Sequence, residues 1–420
     1  MPPFQPTTKQ QMEIDELLKN IPPRPFPTYE CLTYDDFLAN HLIPNAPFLL
    51  SLKNTAEWQA CRDFRFPPSP SSLHSLPNLH ALRKYGNQMV PVANTHKRHF
   101  SEFERTERTL GEVIDIWEGE NQDIGRGLYV KDWHLFAEIE AEGRGVKEVY
   151  DVPECFRGKP VHDWLNPPYN PEPTSATFSK MNTNTSDFRF AYLGPPMTYT
   201  PLHQDVYGSY SWSANVVGKK IWWIFPPGRL DRARDKEGNL VFDVRTIPDE
   251  GGGIKVLQEE GEIMFIPSGW HHQVLNISFC FSINHNFFSS PTLPRIYQNL
   301  LERQAEIEES ISDVREMIIE RLGVQGQWEE EWIEEVQKLL KMDAGWDWRD
   351  FWSTILSNME RPPAPAQLVA PPKMRNAWIL KTMEKYKKQK EWVMCKNVRV
   401  IIQQIEIRLS DVLAETDPYS

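Results

Sequence analysis

Apolar positions recur at helical spacing in Met12, Ile14, Leu17 and Leu18, which predicts a helix over Thr8 to Asn20, stopped by Pro22-Pro23. Shorter elements follow: a strand at Phe48-Leu49-Leu50-Ser51, a helix over Thr55 to Phe64, and strands over Gln88 to Asn94 and Gly127 to His134. Proline clusters at Pro67 to Ser72 and Pro167 to Pro173 predict loops or insertions. From Asp187 onward the period shortens. Phe188 to Leu193, Ser211 to Phe225, Gly261 to Pro267 and Ser278 to Phe288 are rich in aromatic and β-branched residues, with turn signals between them. Many short strands in a row predict a mainly β sandwich or barrel. The charged stretch Arg229 to Gly253 reads as a surface excursion between strands.

After Pro294 the pattern returns to helix. Ile296, Leu300, Leu301, Ile307, Ile311, Val314, Met317 and Ile318 lie three or four apart, and further helices are predicted over Gln327 to Lys341 and Asn376 to Leu413. The proline-rich Pro362 to Pro372 links those two, and no internal repeat is evident. The resulting division is a helical segment over 1–46, a domain over 47–290 with its barrel core at about 187–290, and a helical region over 291–420.

Composition narrows the class. The 420 residues are 40% hydrophobic and include 15 Trp, enough for a large packed core. Five cysteines, widely spaced and without Cys-x-x-Cys, argue against a disulfide framework and against structural zinc. The opening Met-Pro-Pro-Phe-Gln-Pro has neither the basic nor the apolar region of a secretory leader, and no run is long enough to span a bilayer. We therefore expect a cytoplasmic protein, with nuclear entry left open and no membrane partner. The net charge of -12 offers no basic footprint for nucleic acid, and it suits a basic protein partner.

Two segments carry candidate chemistry: Thr200-Pro201-Leu202-His203-Gln204-Asp205 and Pro267-Ser268-Gly269-Trp270-His271-His272. Residues i and i+2 of a strand face the same side, so His203 and Asp205 can point together into a barrel mouth. With one distant histidine they would form a 2-His-1-carboxylate triad, which holds Fe(II) on one face and leaves the other positions open. A lone His-x-Asp is weak evidence, since most strand histidines are ordinary core or surface residues. Adjacent histidines on a strand face opposite sides, so one of His271 and His272 ligates; alternation alone does not choose.

These segments resemble the JmjC-domain family of Fe(II)- and 2-oxoglutarate-dependent oxygenases. The family's third-ligand pattern, Pro-x-Gly-Trp-x-His-x-Val, is filled by Pro267, Gly269, Trp270, His272 and Val274, and so selects His272. Ser211 to Lys220, Phe225 to Gly228, Pro267 to Val274 and Phe281 to Asn286 are similar to strings of one protein-hydroxylase branch of that family. The likeness covers roughly Pro47 to Pro291.

The resemblance implies a double-stranded β-helix (a cupin-like jelly roll) with an α/β N-terminal elaboration and a C-terminal helical region. It implies Fe(II) on His203, Asp205 and His272, with 2-oxoglutarate and O2 as cosubstrates. The far carboxylate of 2-oxoglutarate needs a cation and hydroxyl donors in a narrow apolar pocket. Lys220 shares a strand face with Trp222 and Ile224 and stands where the family places that lysine. Thr200 and Tyr129 match the family's hydroxyl contacts, and Asn286 matches an amide kept near the metal. The family's asparagine in the strand before the lysine has Ser211 or Ser213 as its counterpart, with Asn215 nearby, so that contact is not carried over.

The implied reaction is C4 hydroxylation of a lysyl residue in the eukaryotic translation termination factor. A histone methyl-lysine demethylase would share metal and cosubstrate, but often has Glu in place of Asp205 and zinc-bound modules. A non-catalytic binding module would have lost the triad or the lysine. The C-terminal helices are expected to cap the barrel, or to form a homodimer face as in several relatives.

Overall fold

The computed structural model describes residues 6–67, 75–100, 102–119, 122–157, 163–166, 187–287, 289–360 and 372–415. The loop expected at Pro167 to Pro173 lies outside these residues, as do nearly all of those expected at Pro67 to Ser72 and Pro362 to Pro372. Contacts along the chain define two units. The first comprises 1–156, 189–205 and 210–286, and the second 157–188, 206–209 and 287–420.

The first unit holds the sheets. Before the barrel run β1 (Thr28–Tyr29), β2 (Phe48–Leu50), β3 (Arg65–Phe66), β4 (Leu76–Pro77), β5 (Met89–His99), β6 (Glu102–Thr109) and β7 (Leu128–Trp133). The barrel strands are β8 (Arg189–Gly194), β9 (Tyr199–His203), β10 (Tyr210–Val217) and β11 (Lys220–Phe225). They continue as β12 (Ile254–Gln258), β13 (Ile263–Ile266), β14 (His271–Asn276) and β15 (Cys280–Phe287).

One sheet runs β1-β2-β13-β10-β15-β8-β7-β5-β6, a second runs β12-β11-β14-β9, and β3 and β4 form a small two-stranded sheet of their own. Strands β8 to β15 thus pass back and forth between two facing sheets. That is the jelly roll, or double-stranded β-helix, expected from the resemblance. Strands β1, β2, β5, β6 and β7 extend the larger sheet at both ends, and they are the N-terminal elaboration.

The four-stranded sheet is buried on both faces, which explains why Ile221-Trp222-Trp223-Ile224-Phe225 is apolar without alternation. Its inner side, with Trp222, Ile224 and Val274, packs on Leu49, Met264 and Ile266 of the opposing sheet. Its outer side, with Ile221, Trp223 and Leu275, is covered by Ile14 and by Ala233, Val241 and Val244. Ile14 belongs to the helix Thr8–Lys19, whose start is closed by a capping box between Thr7 and Gln10. The stretch Arg229 to Gly253 is therefore only partly a surface excursion. Its few apolar residues tie it down, and Gln273 holds Asp243 at 2.7 Å and the Val244 N–H at 2.9 Å.

Elsewhere the expected helix over Thr55 to Phe64 shrinks to Gln59–Asp63, and the strand beginning near Gln88 continues to His99. The second unit is helical: Leu293–Ser310, Ser312–Leu322, Trp328–Ala344, Trp348–Glu360, Pro372–Tyr386, Lys390–Met394 and Lys396–Glu415. Its core gathers Tyr297, Trp348, Phe351, Trp352 and Tyr386. Inside it the Trp348 indole N–H donates to Gln304 at 2.6 Å, and the Gln304 amide donates to the buried Glu391 at 2.7 Å.

Candidate metal centre

Strands β9 and β14 pair antiparallel with His203 directly opposite His272, their rings 4.3 Å apart. The ligand atoms of His203, Asp205 and His272 all lie within 4.8 Å of one another. Both imidazoles are oriented by their own backbone. Nδ1 of His203 lies 2.8 Å from the Pro201 carbonyl, and Nδ1 of His272 lies 3.2 Å from the Trp270 carbonyl. A carbonyl only accepts, so Nδ1 carries the proton in each ring and Nε2 is left as a lone-pair donor. Burial, with His272 and Lys131 close by, pushes the His203 imidazolium well below its usual range, and the ring is held neutral. Imidazoles oriented through Nδ1 by a backbone carbonyl, with Nε2 facing the cluster, are what a metal ligand pair requires.

Asp205 reaches the group by a different route from the one the sequence suggested. Strand β9 ends at His203, so Asp205 lies in the connection beyond it and the same-face rule for i and i+2 does not place it. Its carboxylate is held by the Ser211 hydroxyl, which donates to Oδ2 at 2.7 Å, leaving Oδ1 for a metal.

Thr200 shows a second irregularity. His272 pairs with His203 and Val274 with Thr200, so two steps on β14 match three on β9. This bulge brings Thr200 and His203, three residues apart, onto one face. It also accommodates Pro201, which cannot donate to a ladder.

Lys220, Thr200, Tyr129 and Asn286 line the same cavity as the three candidate ligands. Lys220 is 2% exposed and begins β11. Its ammonium makes no hydrogen bond or ion pair with any carboxylate among the described residues, and burial lowers its pKa from 10.5 to about 8. A buried cation without an anion is a site built for one. Tyr129 is 2% exposed, and burial pushes its phenol pKa well up, with the Thr200 and Asn276 side chains close by to offset part of that rise. Gly194 makes room for that ring, since a Cβ there would sit 2.5 Å from it.

Strand alternation takes His271 off the cavity side, opposite Phe225, while His272 pairs with Ile224. Asn215 likewise turns away, donating to the Gly218 carbonyl and accepting from Ser282. Two cavity residues, Asn284 and Tyr192, had not been singled out as candidates. Ser213 donates to Asn284 at 2.8 Å, and Tyr192 donates to Asp132 at 2.6 Å. A tyrosine in a β-run carries no signal that separates a cavity wall from core, so Tyr192 was not legible.

The pattern described as "JmjC domain, hydroxylase" matches residues 190–287, the jelly roll. The chain is similar to the 2-oxoglutarate and iron-dependent oxygenase JMJD4 of Gallus gallus, with 32% identity over 343 residues, 78% of this chain and 72% of the relative. The chain belongs to the JmjC family. It is also similar to the Homo sapiens JMJD4, at 31% identity over 76% of this chain and 72% of the relative. The Arabidopsis thaliana arginine-specific demethylase JMJ20 shares 34% identity over 68% of this chain and 62% of its own. Membership makes this JmjC chain a 2-oxoglutarate- and iron-dependent oxygenase by family. The donor set fits those groups: two Nε2 atoms whose rings are fixed through Nδ1, one anchored carboxylate, and a buried cation that pairs with no carboxylate among the described residues of the same cavity.

Proposed function

We propose that this chain is an Fe(II)- and 2-oxoglutarate-dependent hydroxylase of protein lysyl side chains, acting at C4 of a lysine in the eukaryotic translation termination factor. The observation that carries the reading is the gathering of His203, Asp205 and His272 with Lys220 in one cavity. In it His203, Asp205 and His272 hold the metal, and Lys220 with Thr200 and Tyr129 binds the far carboxylate of the cosubstrate. Asn286 lines the same cavity and would stand beside the bound groups. When bound, iron and 2-oxoglutarate together supply the activation of O2 that places an oxygen atom on a C–H bond.

The protein's part is orientation and exclusion of water. The Pro201 and Trp270 carbonyls fix the imidazoles, Ser211 fixes the carboxylate, and Trp222 lies against His272 with ring centroids 5.6 Å apart. The segment 47–290 carries this chemistry in our reading, and the helical region 291–420 serves as a cap or as the face of a homodimer. No helix among the described residues is long and apolar enough to cross a membrane, and we place the reaction in the cytoplasm.

Demethylation is the second reading, because JMJ20 is named an arginine-specific demethylase. Methyl-lysine demethylation shares the same metal and cosubstrate. The experiment is incubation of the Fe(II)-loaded protein with 2-oxoglutarate and the recombinant termination factor, followed by peptide mass analysis. An oxygen-sized gain on lysine supports hydroxylation. Loss of a methyl-sized mass from methyl-arginine or methyl-lysine histone peptides, with no gain on the factor, would replace it by demethylation. Absence of Fe(II) and 2-oxoglutarate binding, with His203→Ala indistinguishable from wild type, would sink both in favour of a binding module.

A further inference from the structure

Beside Tyr192, which lines the metal cavity, strand β7 carries an irregularity. Val130 pairs with Leu193 and Trp133 with Ala191, so three steps on β7 match two on β8. The extra residue leaves Asp132 at φ +63, a left-handed conformation uncommon outside glycine and best tolerated by Asp and Asn. Bulges beside active sites commonly re-aim a side chain. Here the carboxylate of Asp132 is aimed at Tyr192, accepting its hydroxyl at Oδ1, 2.6 Å away, while the Tyr192 ring lines the cavity. The other oxygen, Oδ2, meets Nη1 of Arg105 at 2.9 Å.

The two ends of this ion pair are held very differently. Asp132 is fixed by its bulge and by Tyr192, and its side chain keeps 26% of its surface open to solvent. Arg105 comes from β6, the edge strand of the larger sheet, and its long side chain is 40% exposed. Pairs exposed to this degree contribute little to stability, so the guanidinium can leave at small cost. The carboxylate cannot follow it. Lys131 lies close enough to favour the Asp132 charge but makes no ion pair with it, its nearest carboxylate being Glu102 at 3.9 Å, so without Arg105 the Oδ2 atom would be left wanting a charged donor.

We propose that Asp132 anchors a basic side chain of the protein substrate next to Tyr192 of the metal cavity, and that Arg105 occupies that anchor until the substrate arrives. This rests on the hydroxylase reading for its substrate class, a protein segment bearing lysine. The incoming ammonium replaces one guanidinium donor at Oδ2 and keeps the Tyr192 bond at Oδ1. The exchange conserves charge, so binding needs no change in the protonation of Asp132.

The test is equilibrium binding, by calorimetry, of a lysyl peptide from the termination factor and of the same peptide with norleucine for lysine. Wild type, R105Q and D132N are compared as full chains, with turnover measured alongside. If the anchor is real, R105Q binds the lysyl peptide several-fold more tightly and D132N at least tenfold more weakly. The norleucine peptide is then indifferent to both changes. A structural role for the pair would weaken binding in both variants alike, and that result, or no change in R105Q, overturns the proposal. R105Q alters an exposed edge residue, so it decides the matter even if D132N fails to fold. Opposite shifts without any oxygen-sized product would overturn the hydroxylase reading and keep the anchor. Product formation with affinity unmoved by R105Q would do the reverse.

Discussion

Ser211 donates its hydroxyl to Oδ2 of Asp205 at 2.7 Å, and so aligns a carboxylate that no strand positions. Without that bond the carboxylate is free to rotate away from His203 and His272. Loss of a partner that orients a metal ligand typically costs about 10–100-fold in metal affinity or activity. Ser211→Ala should therefore weaken Fe(II) binding by about that factor while the fold is retained. Iron titration of the apo protein, with a thermal melt as control, measures both.

Lys220 gives a pH signature. Burial lowers its pKa from 10.5 to about 8, so the apo ammonium loses its proton above pH 8, whereas a bound dicarboxylate favours the charged form. Affinity for 2-oxoglutarate should be flat below pH 8 and fall by up to tenfold per unit above it. The sign for stability is opposite: between about pH 8 and 10.5 the unfolded chain binds the extra proton, so this group alone makes the apo protein more stable as pH rises. Lys220→Ala should raise the cosubstrate KM by roughly thirtyfold or more, from about 2–5 kcal/mol for truncating one side of a buried charge pair. Lys220→Arg, where tolerated, should remove the pH dependence, since guanidinium keeps its proton.

What could be read in advance follows from the type of signal. The strands β8, β10, β11, β13 and β15 were visible because their apolar and β-branched runs are long and bounded by turns. Strand β6, reading Glu102-Phe103-Glu104-Arg105-Thr106-Glu107-Arg108-Thr109, has no apolar period, because an edge strand guards itself with charge. Strand β12 was hidden behind a charged excursion whose anchoring residues, Ala233, Val241 and Val244, are few. The helix expected over Asn376 to Leu413 begins earlier, at Pro372, and is interrupted near Gln389, whose amide donates to Tyr297 at 2.6 Å. In the cavity, Thr200 was placed by resemblance while the geometry depends on a bulge that alternation does not foresee. Asp132 and Tyr192 went unnoticed for the same reason, since a second bulge aims one at the other.

The adjacent histidines provide a paired control. His272 lies opposite His203 and supplies a ligand atom to the cluster, whereas His271 pairs with Phe225 off the cavity side. His272→Ala should abolish stoichiometric iron binding and cosubstrate turnover. His271→Ala should leave the iron content unchanged and turnover within a few-fold of wild type. Metal analysis of the two purified proteins reads the difference directly, and equal losses would contradict the assignment of His272.

Gly218 turns the chain between β10 and β11, two residues before Lys220, with φ at +85. A Cβ at this position would lie 2.3 Å from the Phe279 carbonyl oxygen and 2.6 Å from the Ser278 hydroxyl. The first neighbour is backbone, which cannot swing aside, so Gly218→Ala adds overpacking to left-handed strain. The two effects together should cost about 2–5 kcal/mol. At about 2–4 °C per kcal/mol for a unit of this size, the melting midpoint should drop by roughly 5–15 °C. Gly228 also has a positive φ, +77, but nothing lies within 4 Å of its added Cβ, so Gly228→Ala should cost only about 1–2 kcal/mol of strain. Because the Gly218 turn sets where Lys220 enters the cavity, Gly218→Ala should also weaken 2-oxoglutarate binding, and Gly228→Ala should not. Melting curves with and without saturating 2-oxoglutarate separate the two effects: Gly218→Ala lowers the midpoint and shrinks the ligand-induced rise, whereas Gly228→Ala lowers the midpoint slightly and keeps the rise intact.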